Sequence, residues 1–130
     1  MRIKLRTVVI DCRNARESAA FYSRLLGWPI TAEEPDWILM RNPAGGTGIS
    51  FQTEEDYVPP VWPEEPGRQQ KMLHLDFLVD DLEAAAAHAL ECGAQKAKDQ
   101  FLQGVIVFFD PNGHPFCLFE DPGYRWQNES

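Results

Sequence analysis

The sequence predicts an α+β fold made of two tandem βαβββ modules, and a repeat within the chain carries this prediction. Asn14 and Asp81 are helix-capping signals, and Asn-Pro-Ala-Gly at 42–45 and Asp-Pro-Asn-Gly at 110–113 are turn sequences. The distance along the chain between the two caps is nearly the same as that between the two turns. Each turn sequence separates two apolar runs. Proline presets φ at the second position of a turn and glycine tolerates a positive φ. Such self-similarity indicates one structural unit present twice.

Length and composition fit one globular domain. The chain has 130 residues, 44% apolar and 25% charged, which excludes a multidomain enzyme and wholesale disorder. The net charge of −8 opposes a nucleic-acid partner, because phosphates require a basic surface. The three cysteines, Cys12, Cys92 and Cys117, are spaced too widely for a disulfide framework or a local zinc motif, and no apolar run is long enough to cross a bilayer. We therefore expect a cytoplasmic protein with reduced thiols and no membrane partner.

The first module begins with a strand from Thr7. Asn14 is predicted to cap the helix that follows, with Glu17 three residues later as in a capping box, and Gly27 ends the helix. Residues 28–34 supply the second strand, which has the weakest patterning. The last two strands are Trp37–Met40 and the apolar run after the first turn.

The second module repeats this order. Its first strand is 74–79, Asp81 is the cap, Leu82–Cys92 is an alanine-rich helix, and Gly93 supplies the left-handed position after it. Residues 94–99 form the weakly patterned second strand. The last two strands are Val105–Phe109 and 116–119.

The connection between the modules covers residues 54–70 and is long for a compact domain. In one interpretation it is a linker that lets the two modules face each other. In the other it forms a rim or lid over a pocket, with Tyr57 and Trp62 stacking on a ligand. The predicted organisation is a single domain with module one at about 1–53, the linker at 54–70 and module two at 71–130.

Strand alternation predicts which polar side chains point away from the helices. Asp11 shares that face of the first strand with Thr7, and Asp76 shares that face of the fifth strand with His74. An unpaired carboxylate there would be costly to desolvate, so Asp11 and Asp76 need water, a partner or a ligand. The Cβ atoms of His74 and Asp76 are about 6–7 Å apart, so the two side chains either satisfy each other or act on one ligand. Both are also candidates for proton transfer.

Six short motifs occur in a fixed order along the chain. They are Asp-Cys at 11–12, Phe-Tyr-x-x-x-Leu-Gly at 21–27, Pro-Pro-x-Trp-Pro at 59–63, His-Leu-Asp at 74–76, Val-Asp-Asp-Leu at 79–82 and Asp-Pro-Asn-Gly-His-Pro-Phe-Cys at 110–117. Together with the two predicted modules, this set of motifs resembles the pattern of the vicinal oxygen chelate superfamily, which includes glyoxalase I, bleomycin-resistance proteins and extradiol dioxygenases. It is most similar to the glyoxalase-like subgroup common in actinobacteria, and the resemblance covers nearly the whole chain.

The resemblance implies that each module curls its strands into half of an open barrel and that the two modules enclose a shared cavity. Members that use a metal bind it from the first and fourth strands of each module. The matching first-strand positions here are Thr7 and His74, and the fourth-strand positions, counted four residues after each turn glycine, are Ile49 and Cys117. In the first module the register could also place Ser50 or Phe51 at that position. Only His74 belongs to the usual His/Glu ligand set, whereas an enzymatic site usually has three protein ligands. We therefore expect no catalytic metal and no cofactor.

The remaining candidates lie in the last strand and the turn before it. Cys117 and Phe119 are predicted to line the ligand site, although the apolar context of Cys117 suits a thiol that packs as a small hydrophobe. His114 follows the second turn and is predicted to be exposed.

These observations favour a module that binds a small organic ligand, cationic or aromatic, without a catalytic metal, as bleomycin-resistance proteins do. The alternative is a glyoxalase-type lyase, isomerase or dioxygenase with an atypical metal site that uses His74. A structural or regulatory dimer without a ligand is a third possibility. Whether a reaction is catalysed stays open, with a metal-dependent glyoxalase I disfavoured. A homodimer is expected, because the family often pairs modules across a two-fold axis.

Overall fold

A computed structural model describes residues 1–127, which divide into two α+β units, Met1–Tyr57 and 58–127. The first unit contains β1 (Thr7–Cys12), α1 (Ala15–Leu26), β2 (Ile30–Glu34), β3 (Trp37–Met40) and β4 (Gly48–Thr53). The second contains β5 (Leu75–Leu78), α2 (Leu82–Cys92), β6 (Gln95–Lys96), β7 (Val105–Phe109) and β8 (Pro115–Phe119). The order βαβββ therefore occurs twice, and the predicted fold class is confirmed.

In the first unit the strand order is β1-β4-β3-β2, with β1 parallel to β4 and the other pairs antiparallel. The side chain of Asn14 accepts a hydrogen bond from the backbone N–H of Glu17, and Gly27 ends α1 in the left-handed conformation (φ 72°), so both predicted helix ends are confirmed. The helix packs on the sheet through Tyr22, whose ring stacks on that of Phe51 with 5.3 Å between centroids. The core of this unit thus lies between α1 and one face of its sheet.

The second unit has the equivalent strand order, β5-β8-β7-β6, with β5 parallel to β8. Asp81 caps α2 by accepting a hydrogen bond from a backbone N–H in the first turn, and Gly93 follows the helix with φ 113°. The buried Phe116 stacks on Phe108 at 5.6 Å and meets Phe77 edge to face at 5.9 Å. These three rings lie on one face of the sheet. The residues of β5 and β8 that alternate with them therefore lie on the opposite face.

Two alignments of the first module with the second are possible, one based on the pairing of strand residues and the other on the turn sequences, and they differ by one residue. Asp76 pairs with Cys117 across β5 and β8, and Val9 pairs with Ser50 across β1 and β4. The same number of residues separates Val9 from Asp76 as separates Ser50 from Cys117. In the first module, Ser50 therefore occupies the position that Cys117 occupies in the second. The assignment of Ile49 to that position, made by counting from the turn glycines, is therefore corrected by one residue.

The reason for this shift is a longer turn in the first module. The segment that joins the ladder partners Leu39 and Ser50 is one residue longer than the segment that joins the ladder partners Val107 and Cys117. The extra residue is accommodated by two consecutive glycines, 45–46, with φ values of 92° and 91°. Only glycine adopts such angles without a steric cost.

β6 is shorter than the predicted strand at 94–99, and a side chain explains why. Gln100 accepts a hydrogen bond from the backbone N–H of Val107 at 2.9 Å and donates one to its carbonyl oxygen at 3.0 Å. This amide takes the Val107 N–H, which a longer β6 would have paired, and shares the Val107 carbonyl oxygen with the backbone N–H of Ala97. β5 is also shorter than predicted, so that His74 immediately precedes it.

The connection between β4 and β5 forms neither helix nor strand. It folds back on itself through a hydrogen bond from the backbone N–H of Val61 to the carbonyl oxygen of Gln69 at 3.2 Å, and the Trp62–Pro63 peptide bond is cis. Neither of the two helices, which have 12 and 11 residues, has the length and apolar character needed to cross a membrane, as assessed over residues 1–127.

Candidate functional site

The face of the second sheet that points away from α2 brings together three of the predicted site residues. Asp76 and Cys117 are direct partners in the parallel β5–β8 ladder, so their side chains share one face. His74 precedes β5 and lies two residues from Asp76, on the same side. One nitrogen of His74, one carboxylate oxygen of Asp76 and the sulfur of Cys117 all lie within 4.8 Å of one another.

His74 and Asp76 are bonded to each other. Nε2 of His74 lies 3.0 Å from Oδ1 of Asp76, and the two side chains are 27% and 56% exposed. Asp11 and Asp76 are both exposed residues, so each carboxylate is open to water. The physical reason is their position, because β1 and β5 are the edge strands of their sheets.

Cys117 is 3% exposed and packs in an apolar cluster with Ala97 and Val107. The pKa of its thiol is raised from 9.0 to about 11, first by burial and then by the charge and hydrogen bonding of Asp76, while the charge of Lys71 opposes the rise. A thiol with such a pKa is neutral at physiological pH and is therefore a poor nucleophile.

An aromatic and a cation border this cluster. Trp62 packs on the Cys117 cluster and meets the ring of His74 edge to face, with 5.1 Å between ring centroids. Nζ of Lys71 lies over the Trp62 ring, 4.5 Å from its centroid, and Lys71 also forms an ion pair with Glu64. The linker therefore contributes an indole to the site, and Lys71, the first residue after the linker, places its ammonium group against that indole.

The other predicted ligand-binding residues lie farther along the sheet or in the first unit. Phe119 is half-buried and pairs with Leu78, on the same sheet face as Cys117. Asp11 is an exposed residue of β1, and Tyr57 lies under the guanidinium of Arg13, 5.9 Å from its ring centroid. Four predicted residues thus converge within the second unit: His74, Asp76, Cys117 and Trp62.

His114 is buried, so the prediction that it is exposed was wrong. Its backbone N–H donates to Oδ1 of Asp110 at 3.0 Å, and its ring Nδ1 lies 3.0 Å from the carbonyl oxygen of Pro115. The same carboxylate accepts from the backbone N–H of Asn112 at 2.9 Å. The turn before β8 is therefore folded around a buried carboxylate, which draws His114 inward and gives it a structural role.

Sequence reasoning missed Lys71 and Glu64. Both lie in irregular backbone, where no periodicity indicates which way a side chain points. The only available signal was the occurrence of a tryptophan, an acid and a lysine within one short stretch, 62–71, and that signal is weak because charged residues are common in connecting segments.

The metal site of the superfamily does not fit the first unit. Its matching positions hold Thr7 on β1 and, on β4, Ile49 or the ladder equivalent Ser50. Ser50 is fully buried, and its Oγ has no hydrogen-bond partner among residues 1–127. Catalytic metal sites use imidazole, carboxylate or thiolate ligands, which none of these three residues provides.

The second unit contains an open depression away from the sheet. Its volume is about 330 Å³, and it is lined by residues 64–70 of the linker. None of the four converging residues lines it, so it touches the site only through Glu64, the ion-pair partner of Lys71.

Comparisons with known proteins agree with this architecture. Residues 7–119 match the glyoxalase-like domain family. The Escherichia coli (strain K12) protein YaeR, whose name describes it as uncharacterized, is 34% identical over 79% of this chain and 84% of its own length.

Solved structures show the same fold. A glyoxalase/bleomycin resistance protein/dioxygenase family enzyme from Burkholderia phytofirmans PsJN is 22% identical over 91% of this chain and 98% of that chain, with a TM-score of 0.67. A glyoxalase-related enzyme from Fulvimarina pelagi is 14% identical over 98% and 94%, with a TM-score of 0.70. Oxidase ChaP-H2 is 20% identical over 94% and 96%, with a TM-score of 0.64.

Proposed function

The chain belongs to the glyoxalase-like domain family of the vicinal oxygen chelate superfamily, and on that premise we propose that it binds a small organic ligand, cationic or aromatic, without a catalytic metal. The observation that carries the proposal is the His74–Asp76 pair, whose carboxylate is exposed, beside the Trp62 indole. A carboxylate next to an aromatic ring is the combination that recognises an organic cation.

Each of these residues has a definite role in the proposed complex. The carboxylate of Asp76 accepts from His74 and keeps further acceptor capacity for a ligand donor. His74 is held by this bond and by its edge-to-face contact with Trp62, so its ring is oriented before a ligand arrives. The neutral thiol of Cys117 forms the apolar floor beneath the carboxylate. Binding is favoured over nucleophilic catalysis, because that thiol retains its proton.

The test is a titration with benzyltrimethylammonium, followed by ¹⁵N–¹H NMR, with the neutral 2-phenylethanol as control. Asp76→Asn removes the charge of an exposed partner, so the affinity should fall about three- to five-fold. Phe119→Leu should weaken binding less, because it changes no charge. Equal affinity for the two probes, or unchanged binding in the Asp76→Asn variant, would show that the carboxylate does not anchor a cation.

The second candidate function is a glyoxalase-type lyase, isomerase or dioxygenase that uses an atypical metal site. It is favoured by the donor cluster of His74, Asp76 and Cys117, which offers nitrogen, oxygen and sulfur within one unit. These donors suit a borderline ion such as Zn²⁺, whereas a hard cation prefers oxygen ligands alone. In that case the three residues would hold the ion, which would supply Lewis acidity to a bound substrate.

Metal stoichiometry separates the two candidates. The stripped protein is incubated separately with Ni²⁺, Zn²⁺ and Fe²⁺, desalted and analysed for metal per chain, beside a His74→Ala variant. Uptake of about one ion per chain that is lost in the His74→Ala variant would contradict the metal-free proposal and favour the second candidate. Uptake that is absent, or that is equal in the variant, supports the metal-free proposal.

We also propose that the protein is a cytoplasmic homodimer. The structure of residues 1–127 contains no disulfide and its three cysteines are thiols, as expected in a reducing compartment, and two-fold symmetric dimers are the commonest assemblies. Multi-angle light scattering at micromolar concentration should give twice the chain mass. The mass of a single chain would contradict the dimer.

A further inference from the structure

The Lys71 side chain sits where an organic cation would be expected to bind. Its Nζ lies 4.5 Å from the centroid of the Trp62 ring and is paired with the carboxylate of Glu64. Only 18% of the Lys71 side chain is exposed, whereas most lysine side chains are exposed and a buried lysine needs partners. An aromatic face and a carboxylate around one ammonium group form a cation-recognition site.

We propose that the Lys71 ammonium is a tethered occupant of the ligand-binding site, and that the physiological ligand carries an alkylammonium group that displaces it. This inference rests on the proposed function and narrows the ligand class from any cationic or aromatic molecule to an alkylammonium compound. The partners that hold Lys71, an indole face and a carboxylate, are then the groups that receive the ligand.

A second ion pair on the same segment shows that the Lys71 arrangement is specific. Arg68 lies three residues before Lys71 and pairs with Glu65 at 3.3 Å, but both side chains are more than half exposed. Within residues 1–127, Arg68 has no cation–π contact, unlike Lys71. Arg68 has the features of an ordinary surface pair, which contributes little to stability. The Lys71 side chain is instead mostly buried, and its ammonium group lies over Trp62.

The position of Lys71 also connects it to the polar cluster. The rings of Trp62 and His74 meet edge to face, so the ring that supports the ammonium group borders the residue that is bonded to Asp76. A ligand whose ammonium group lies on the ring is thus adjacent to a second carboxylate. This neighbouring negative charge favours a cation over a neutral molecule of the same shape.

The occupant can leave without disturbing the sheet. Lys71 lies outside β5, and its carboxylate partner, Glu64, is an exposed residue of the same connection between β4 and β5. A lysine side chain has four rotatable carbon–carbon bonds, so its ammonium group can move into solvent while the backbone stays in place. The apparent affinity for a ligand is then reduced by the fraction of molecules in which Lys71 covers the ring.

The experiment compares two variants that lose the same charge from the same segment. Lys71→Met keeps the aliphatic stem and removes the ammonium group, and Arg68→Met is the matched control. Benzyltrimethylammonium is titrated into each protein, and the Trp62 indole signal is followed by NMR. We expect Lys71→Met to bind about five-fold more tightly than the unaltered protein, and Arg68→Met to stay within about two-fold of it.

The outcomes distinguish this inference from the proposed function. If the unaltered protein and Lys71→Met bind equally, or if Lys71→Met binds more weakly, the occupant proposal is wrong while cation binding stands. Binding by Lys71→Met alone supports the occupant proposal, and binding by neither protein overturns both.

A measurement on the unaltered protein covers the case in which Lys71→Met does not fold. The ring current of Trp62 should shift the Lys71 Hε signals upfield, and saturation with the probe should return them toward solvent-exposed positions. Hε signals that stay in place at saturation would refute displacement.

Discussion

The Cys117 thiol should resist ionisation well into the alkaline range, and Asp76 should account for part of that resistance. Burial is the largest cause of the rise in pKa from 9.0 to about 11, and the adjacent carboxylate is the next. Asp76→Asn removes a negative charge and keeps a side chain of nearly equal size. The pKa of Cys117 should therefore move part of the way back from about 11 toward 9.0, because the burial remains.

The expected magnitudes are large enough to measure. At pH 9, half of the thiols with the ordinary pKa are ionised, whereas only about 1% are ionised when the pKa is near 11. The folded state then keeps a proton that the unfolded state has lost. The free energy of unfolding should fall as the pH rises from 9 to 11, and the total loss attributable to Cys117 is roughly 2 to 3 kcal/mol.

The assay is ¹³C NMR of protein labelled at the cysteine Cβ, whose shift reports ionisation. Cys117→Ala identifies the signal of Cys117 among the three cysteines. Asp11→Asn is the matched control, because Asp11 is an exposed carboxylate on the corresponding strand of the other unit. A Cys117 signal that titrates at or below pH 9 would refute the argument from burial. If the Cys117 signal titrates at the same pH in the Asp76→Asn variant, the Asp76 carboxylate does not contribute to the raised pKa.

Three further predictions concern stability, each measured by urea unfolding. Asn14→Ala removes the cap of α1 and should cost about 1 kcal/mol; an unchanged midpoint would show that the cap is dispensable. Gly48→Ala should destabilise the protein by about 1–3 kcal/mol, because a Cβ there would lie 2.6 Å from a backbone carbonyl oxygen of β3; wild-type stability would mean that the backbone relaxes freely. Gln100→Ala should cost about 1 kcal/mol, because the backbone N–H of Val107 loses its partner while the Val107 carbonyl oxygen still accepts from Ala97. Exposed Gln103→Ala should change little, and equal effects would contradict the role of Gln100.

Local chemistry explains why much of the fold was predictable from the sequence. Asn14 and Asp81 act through bonds that span one helical turn, so residue type and spacing suffice to identify them. Alternation along a strand depends only on the backbone period. It therefore correctly placed His74 and Asp76 on the face away from the helix, where they meet Cys117.

The parts of the site that the sequence did not predict depend on contacts between distant segments. Asp76 and Cys117 are far apart in the sequence and become neighbours only through the parallel ladder. The position of Lys71 over Trp62 depends on the path of an irregular connection, which has no periodicity to predict it. His114 turned inward because a carboxylate four residues before it gathers the backbone of the turn.

The longer turn of the first module shows where this architecture tolerates changes in chain length. In the first module the turn is largely exposed, and Asn42 bonds locally, to the backbone N–H of Ala44. In the second module the equivalent Asp110 is buried and holds its turn in one conformation. Insertions acquired during the divergence of the two copies should therefore persist in the first turn and be eliminated from the second. An engineered tag or loop graft accordingly belongs at the paired glycines, where added residues leave every strand partner in place.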